Sequence, residues 1–234
     1  MSFIPYCHTI RGKFSRRLNR FVAEVCVSGE VVSVHVPSSG RMTDILAPGA
    51  EVLLRPAPVH SKRATRFTLL AVRWDDLYIS VDASLPNRLF REIFATAGLH
   101  ELKGWLLERS EYTMGESRFD FLLRRNDLLC PVEVKSVTHV DQTDGAARFP
   151  DAPTVRGKRH VRHLTSLVAA GGSAAIIFVV QRNDARYFSP YAQIDPGFAA
   201  ELREAQRQGV TILAYRCEVS PEGVRLTKPI PIVI

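Results

Sequence analysis

The chain is short of acid. Among 234 residues, 24 Asp and Glu stand against 31 Lys and Arg, a formal charge of +7 with a pI near 9.5. That imbalance points to a polyanionic partner, because Lys and Arg that neutralise phosphates release condensed counterions. Cysteine is scarce too. Cys7, Cys26, Cys130 and Cys217 form no CxxC pair and have no histidines at zinc-ligand spacing, which excludes the usual zinc sites and a disulfide framework. Scattered in this way they read as reduced thiols of an intracellular protein. Long apolar runs are missing: the most apolar stretch, Leu167 to Val180, is broken by Gly171 and Gly172 and is too short to cross a bilayer. The opening MSFIPYCHTIRGKF lacks the apolar core and cleavage pattern of a signal peptide, so the expectation is a soluble cytoplasmic protein with no membrane partner. No GxxxxGK[ST] loop occurs, and Ser38-Ser39-Gly40 reads as a turn. Asp141, Asp144 and Asp151 lack calcium-loop spacing, and no motif supports a serine or cysteine nucleophile.

What is present is an ordinary globular composition, 46% apolar and 24% charged, long enough for one large or two small domains. The first part carries short β-branched runs: Phe21 to Val27, Val31 to Val36, Glu51 to Leu54, Phe67 to Trp74, and Leu77 to Val81 as a closing strand. Turns at Ser28-Gly29-Glu30 and Pro37 to Gly40 separate them, and no convincing amphipathic helix intervenes. The pattern fits a small OB-type β-barrel over residues 1–82. Its basic residues are clustered. Arg11, Lys13, Arg16, Arg17 and Arg20 have no acid among them, nor do Arg55, Lys62, Arg63, Arg66 and Arg73. In an OB barrel such clusters form a groove for a nucleic-acid strand, with Phe14, Phe21, Phe67 or Trp74 available for stacking.

The pattern changes near Ser84. A helix is expected over Pro86 to Gly98, a hairpin from Arg118 to Leu123 and Leu128 to Val137, and a helix from Thr154 to Ala170. A buried strand follows at Ala174 to Val180, then a helix over Ala199 to Gln208 and a strand at Val210 to Tyr215. This succession implies a layered α/β domain over residues 83–234. In the hairpin, Asp120 lies between Phe119 and Phe121. Glu133 and Lys135 are two apart, so they share one face of their strand. Pairing the strands brings Asp120 beside Glu133. Two converging, partly buried carboxylates repel unless a cation lies between them, and a hard divalent ion such as Mg²⁺ takes oxygen ligands. With Lys135 alongside to orient water or stabilise developing charge, these are the parts of metal-assisted phosphodiester hydrolysis.

A helix carrying Glu92, a strand carrying Asp120, then Glu133-Val134-Lys135 resembles the active-site order of the PD-(D/E)xK nuclease superfamily. More closely, the chain resembles the sugar fermentation stimulation protein A family, through PSSGRMTDILAPG (37–49), PNRL (86–89), SRFDFLL (117–123), VEVKSVT (132–138), FPDAPTVRGKRHVRHL (149–164), FSP (188–190) and GVTILAY (209–215). The resemblance implies an OB-type barrel followed by a PD-(D/E)xK restriction-endonuclease-like domain, and DNA rather than RNA as partner. It makes Asp120 and Glu133 metal ligands for Mg²⁺ or Mn²⁺, with the Val134 carbonyl as a third and Lys135 catalytic. Glu92 would complete the site, or else be a solvated carboxylate paired with Arg88 or Arg91; Glu111 is the runner-up for its role.

Lys158 and Arg162, and likewise Arg159 and His163, are four apart on the second helix, so that with Arg156 they form basic faces suited to a phosphate backbone. Arg118 is a further candidate, although strand alternation aims it away from Asp120. His160 is either the partner of a catalytic carboxylate or a satisfied interior histidine. The leading expectation is a metal-dependent nuclease. The alternative is a non-catalytic DNA-binding regulator, and a sugar-linked role rests on the family name alone. Nucleases that cut both strands often pair two sites, so a homodimer is compatible with this reading.

Overall fold

Strands that bury one face alternate apolar with polar residues, and the first eighty residues use this pattern to build a barrel. The computed structural model describes residues 2–58, 60–61, 63–96 and 98–234. After a short strand β1 (Phe3–Pro5) come β2 (Ile10–Arg17), β3 (Val22–Val27), β4 (Glu30–His35), β5 (Glu51–Pro56), β6 (Phe67–Trp74) and β7 (Leu77–Ser80). Strands β2, β3 and β4 pair antiparallel in sequence, and β5 joins β2 to β6. A parallel contact, Val34 with Phe67 and His35 with Thr68, joins β4 to β6 and closes a five-stranded OB-type barrel. Phe14, Val25, Val34, Val52, Leu54 and Leu69 fill it. The last strand of the series, expected at Leu77 to Val81, is β7, which extends the sheet beyond β6. The fifth barrel strand is β2, whose IRGKFSRR sequence has too few apolar residues to announce itself. At Gly12 a Cβ would lie 2.5 Å from Val25 Cγ1, so the close approach of β2 and β3 requires glycine there.

The rest of the chain forms α1 (Leu85–Thr96), β8 (Leu106–Met114), β9 (Ser117–Arg125), β10 (Leu128–Val137), β11 (Ala146–Phe149), α2 (Val155–Ala169), β12 (Ala175–Val180), β13 (Tyr187–Pro190), α3 (Pro196–Gln208), β14 (Thr211–Ser220) and β15 (Gly223–Pro229). Seven strands make one mixed sheet in the order β1-β15-β14-β12-β10-β9-β8, with β10, β12 and β14 parallel at its centre. A parallel strand covered on both faces is apolar throughout, as AIIFVV in β12 is. Ala175, Ile177 and Val179 pack with Leu89, Phe90 and Ile93 of α1. Ile176, Phe178 and Val180 pack with Val161 and Leu164 of α2 and Phe198 and Leu202 of α3. The architecture is therefore mixed α/β, a helix–sheet–helix sandwich behind a barrel. Among the described residues no helix is long and apolar enough to cross a membrane.

The expected division at residues 82 and 83 needs one amendment. Strand β1 pairs with β15, so the chain begins in the second sheet before entering the barrel. With only Ile4 buried, the three-residue strand carries too little pattern to show this from sequence. The two units also share a core, because Leu53, Leu70 and Ala71 of the barrel lie in the α1 cluster. Arg182, completely buried, fastens them further. It holds Asp184 through Nε (2.7 Å) and Nη2 (2.6 Å), donates to the Thr138 carbonyl, and stacks 4.8 Å from the Trp74 ring of β6. Arg182→Ala removes a buried side chain together with its bonds to Asp184 and the Thr138 carbonyl, and is expected to cost about 2 kcal/mol. Urea unfolding should show a lower midpoint; an unchanged midpoint would contradict this role.

Candidate active site

The β9–β10 ladder runs from Arg125 with Leu128 to Phe121 with Val132 and ends there. Next along β9, the Asp120 carboxylate takes the place of a strand partner. Its Oδ2 accepts the Val134 N–H at 2.8 Å, and its Oδ1 accepts from Asn87 Nδ2 of α1 at 2.6 Å. The strand turns at this point, since Phe119 packs in the α2 cluster and Phe121 in the α1 cluster. Glu133 lies opposite Ile176 and so faces α2. It is 4% exposed. Its Oε1 accepts from His160 Nδ1 at 2.7 Å and forms an ion pair with Lys135 Nζ. Its Oε2 is buried with no hydrogen-bond partner.

His160 is thus bonded to the Glu133 carboxylate and is at the same time a satisfied interior histidine, so both descriptions open to it apply. It is 1% exposed and packs on Phe119. Arg156 Nε donates to its Nε2 at 3.4 Å, which assigns the ring proton to Nδ1, facing Glu133. The two carboxylates titrate in opposite directions. Burial, and then the charge of Glu133, push Asp120 up; the hydrogen bonds from Val134 and Asn87 offset this only in part. Burial also raises Glu133, but the His160 hydrogen bond and the Lys135 charge outweigh it and hold the group below its usual range.

These groups line a cleft of about 400 Å³ between the two domains. Asn87, Asp120, Glu133 and Lys135 form its floor, and the Ser38–Gly40 loop of the barrel forms one wall. Arg17 pins that loop by donating to the carbonyls of Ser38 (3.3 Å) and Gly40 (3.4 Å), and it also holds the β2–β3 turn through Asn19 and Arg20. A neighbouring cavity shares Asp120 and Arg156 with the cleft and adds Glu111, Arg118 and Arg159.

Of the residues singled out from sequence, Asp120, Glu133, Val134 and Lys135 come together. Glu92 does not. Five positions after Asn87, it points roughly 140° around the helix, where it accepts from Ser2 Oγ at 2.5 Å beside Tyr215 and Lys228. Asn87, which no charge pattern flags, is the helix residue that reaches Asp120. Glu111 lies beside the site, paired with Arg118 at 2.5 Å. The basic helix divides: Arg156 and Arg159 line the cavities, whereas Lys158 bonds Asp195 (3.2 Å) and Arg162 bonds Glu201 (3.1 Å) on the α3 side. Both of those cations have a carboxylate partner within the protein, as Arg118 has in Glu111. In the barrel, Arg16 is held by Glu24 at 2.7 Å, Arg63 donates to Thr68, and Arg66 lies over Phe67. Lys62 lies outside the described residues. Phe14 is buried in the barrel core, and Trp74 lies under Arg182.

The donor chemistry fits a hard divalent cation: two adjacent carboxylates, one with a buried oxygen lacking any partner. Among the described residues no group of three or more His, Cys, Asp and Glu converges, so a cation would depend on these two side chains together with backbone or solvent oxygen.

A closed OB-type barrel joined to an α/β domain with this carboxylate-lysine cleft defines a two-domain protein of the restriction-endonuclease-like kind. The chain belongs to the sugar fermentation stimulation protein family: residues 84–223 match its "Sugar fermentation stimulation protein RE domain" and residues 16–81 its "SfsA N-terminal OB domain". A homologue from Desulforamulus reducens is 43% identical over 223 residues, covering 95% of this chain and 92% of the relative. One from Moorella thermoacetica is 42% identical, covering 94% and 95%. The structure of Pyrococcus furiosus SfsA in complex with Ca²⁺ superposes over the whole of both chains with a TM-score of 0.90 at 29% identity.

An acid whose folded pKa is raised binds its proton more tightly when folded, so ionised Asp120 costs stability at neutral pH. Asp120→Asn turns an amide donor onto the Val134 N–H or the Asn87 amide and so loses one hydrogen bond at every pH. Measured against the native metal-free protein, its melting temperature should nonetheless rise as pH goes from below the usual carboxylate range, where the native Asp120 is itself protonated, to pH 7. A difference between the two that does not change with pH would contradict this electrostatic account.

Proposed function

We propose that the chain is a divalent-metal-dependent nuclease that hydrolyses phosphodiester bonds, with DNA as its substrate. The observation that carries this reading is the unpartnered Oε2 of Glu133, buried beside a second carboxylate whose protonation burial favours. Asp120, Glu133 and the Val134 carbonyl would hold Mg²⁺ or Mn²⁺. Bound there, the cation would polarise a phosphodiester and stabilise its developing charge. The Ca²⁺ complex of the Pyrococcus furiosus protein supports a hard cation in this family.

The protein's own groups divide the remaining work. Asn87 and the Val134 N–H fix the Asp120 carboxylate, and His160 fixes Glu133 in one orientation. Lys135, at the edge of the same face, supplies a positive charge to a phosphate oxygen entering the cleft. Arg156, Arg118 and Arg159 line the approach and position the backbone on either side. The scattered unpaired thiols are those of a cytoplasmic protein. A non-catalytic DNA-binding regulator is the second reading, favoured by the convergence of only two acids among the described residues.

Labelled single- and double-stranded DNA and RNA, incubated with Mg²⁺, Mn²⁺ or EDTA, separate the two. Cleavage should require the metal, and Lys135→Ala should slow it by about 100-fold or more while keeping the metal-induced rise in melting temperature. Binding without cleavage of any substrate would favour the regulator.

A further inference from the structure

A second cavity, of about 610 Å³, opens where the barrel meets the loop preceding α2. Asn19 and Arg20 of the β2–β3 turn form one side, Arg41 another, and Ala152 to Thr154 the third. Ser39, Gly40 and Asp151 line both this cavity and the catalytic cleft, so the two share a wall. The wall is a contact between domains: a Cβ on Gly40 would lie 2.8 Å from Asp151 Oδ2. We propose that this cavity binds unpaired nucleotides of a strand whose neighbouring phosphate lies in the catalytic cleft, making single strands and single-stranded overhangs the preferred ligands. What happens in the cleft rests on the nuclease reading; the binding preference does not.

Three features select such a ligand. The first is free positive charge. Arg17 is spent on backbone carbonyls, but Arg20 and Arg41 are exposed and form no side-chain ion pair among the described residues. The second is an exposed stacking surface. Phe21 does not line the cavity but follows Arg20 in the same turn at its rim, and it is 50% exposed. Aromatics beside a cationic groove bind unpaired bases, each with a free π-face, without regard to sequence. The third is the ridge. Entering both cavities requires a sharp bend over the wall, which costs a duplex deformation energy and an unpaired strand far less. The Asp151 carboxylate in the wall repels phosphate, which keeps the backbone against Arg20 and Arg41 on one side and Arg156 on the other.

The test is fluorescence anisotropy in EDTA, where nothing is cut, with a labelled oligonucleotide offered as a single strand and as a blunt duplex. The single strand should bind at least about tenfold tighter than the duplex. Phe21→Ala should weaken it by about tenfold. Arg20→Ala with Arg41→Ala should weaken it by a similar factor and reduce the slope of log affinity against log salt by roughly 1 to 2. Equal affinity for the blunt duplex, or single-strand binding unchanged by these substitutions, would overturn the proposal. Because the readout needs no cleavage, an inactive protein with this preference would sink only the nuclease reading. Metal-dependent cutting of a single strand at an undiminished rate by the double arginine variant would sink only this one.

Discussion

Glu133 is a carboxylate in the middle of a seven-stranded sheet, almost out of reach of water, and an ionised group in that position persists only with partners around it. Much of the second domain is arranged to provide them. Helix α2 brings a fully buried imidazole to one oxygen, and Lys135 reaches the same oxygen from two residues along the strand. The helix is itself anchored at its start: Thr154 caps the Gly157 N–H, and Asp195 accepts the Thr154 N–H at 2.8 Å. Asp195 in turn caps α3. The second Glu133 oxygen is left without a partner in a place where an orphan is costly. Asp120, with its strand ladder interrupted to admit it, is the neighbouring acid. A divalent cation, as proposed, would satisfy both at once.

The barrel contributes to the same cleft and is not an appendage. Its Ser38–Gly40 loop forms a wall, Arg17 fixes that loop, and Asp44 holds His139 at 2.8 Å while the imidazole stacks on Tyr191. Gln181, following β12, donates to the Asp82 carbonyl and to Ser136 Oγ. A shared apolar cluster and these polar ties hold the loop over the carboxylates, so the width and charge of the approach are set jointly by both domains.

Where a residue's environment is decided by its own strand, the sequence was readable. Asp120, Glu133 and Lys135 stand out because charges embedded in RFDFLL and PVEVKSV break an apolar pattern, and β12 is recognisable because both of its faces are buried. Strands at sheet edges were not readable. The β8 sequence LLERSEYTM is mostly exposed and has no buried run, and β1 is too short to carry a period. Helix side chains were the main source of error. Glu92 and Asn87 differ by little more than a third of a turn in direction, and Lys158, Arg159 and Arg162 are distinguished only by whether Asp195 and Glu201 of α3 lie opposite. Those partners are 37 and 39 residues away in sequence, and nothing local reveals them. The wall formed by Gly40 and Asp151 is a contact between domains and is invisible for the same reason.

The central claim is that Asp120 and Glu133 share one divalent cation. Anomalous diffraction from crystals grown with Mn²⁺ tests it most directly. The account predicts a single strong peak between these two carboxylates, absent from Glu133→Gln crystals, with the His160 ring in the same place. No peak there, or Mn²⁺ bound instead at the Asp141 and Asp144 loop, would contradict it.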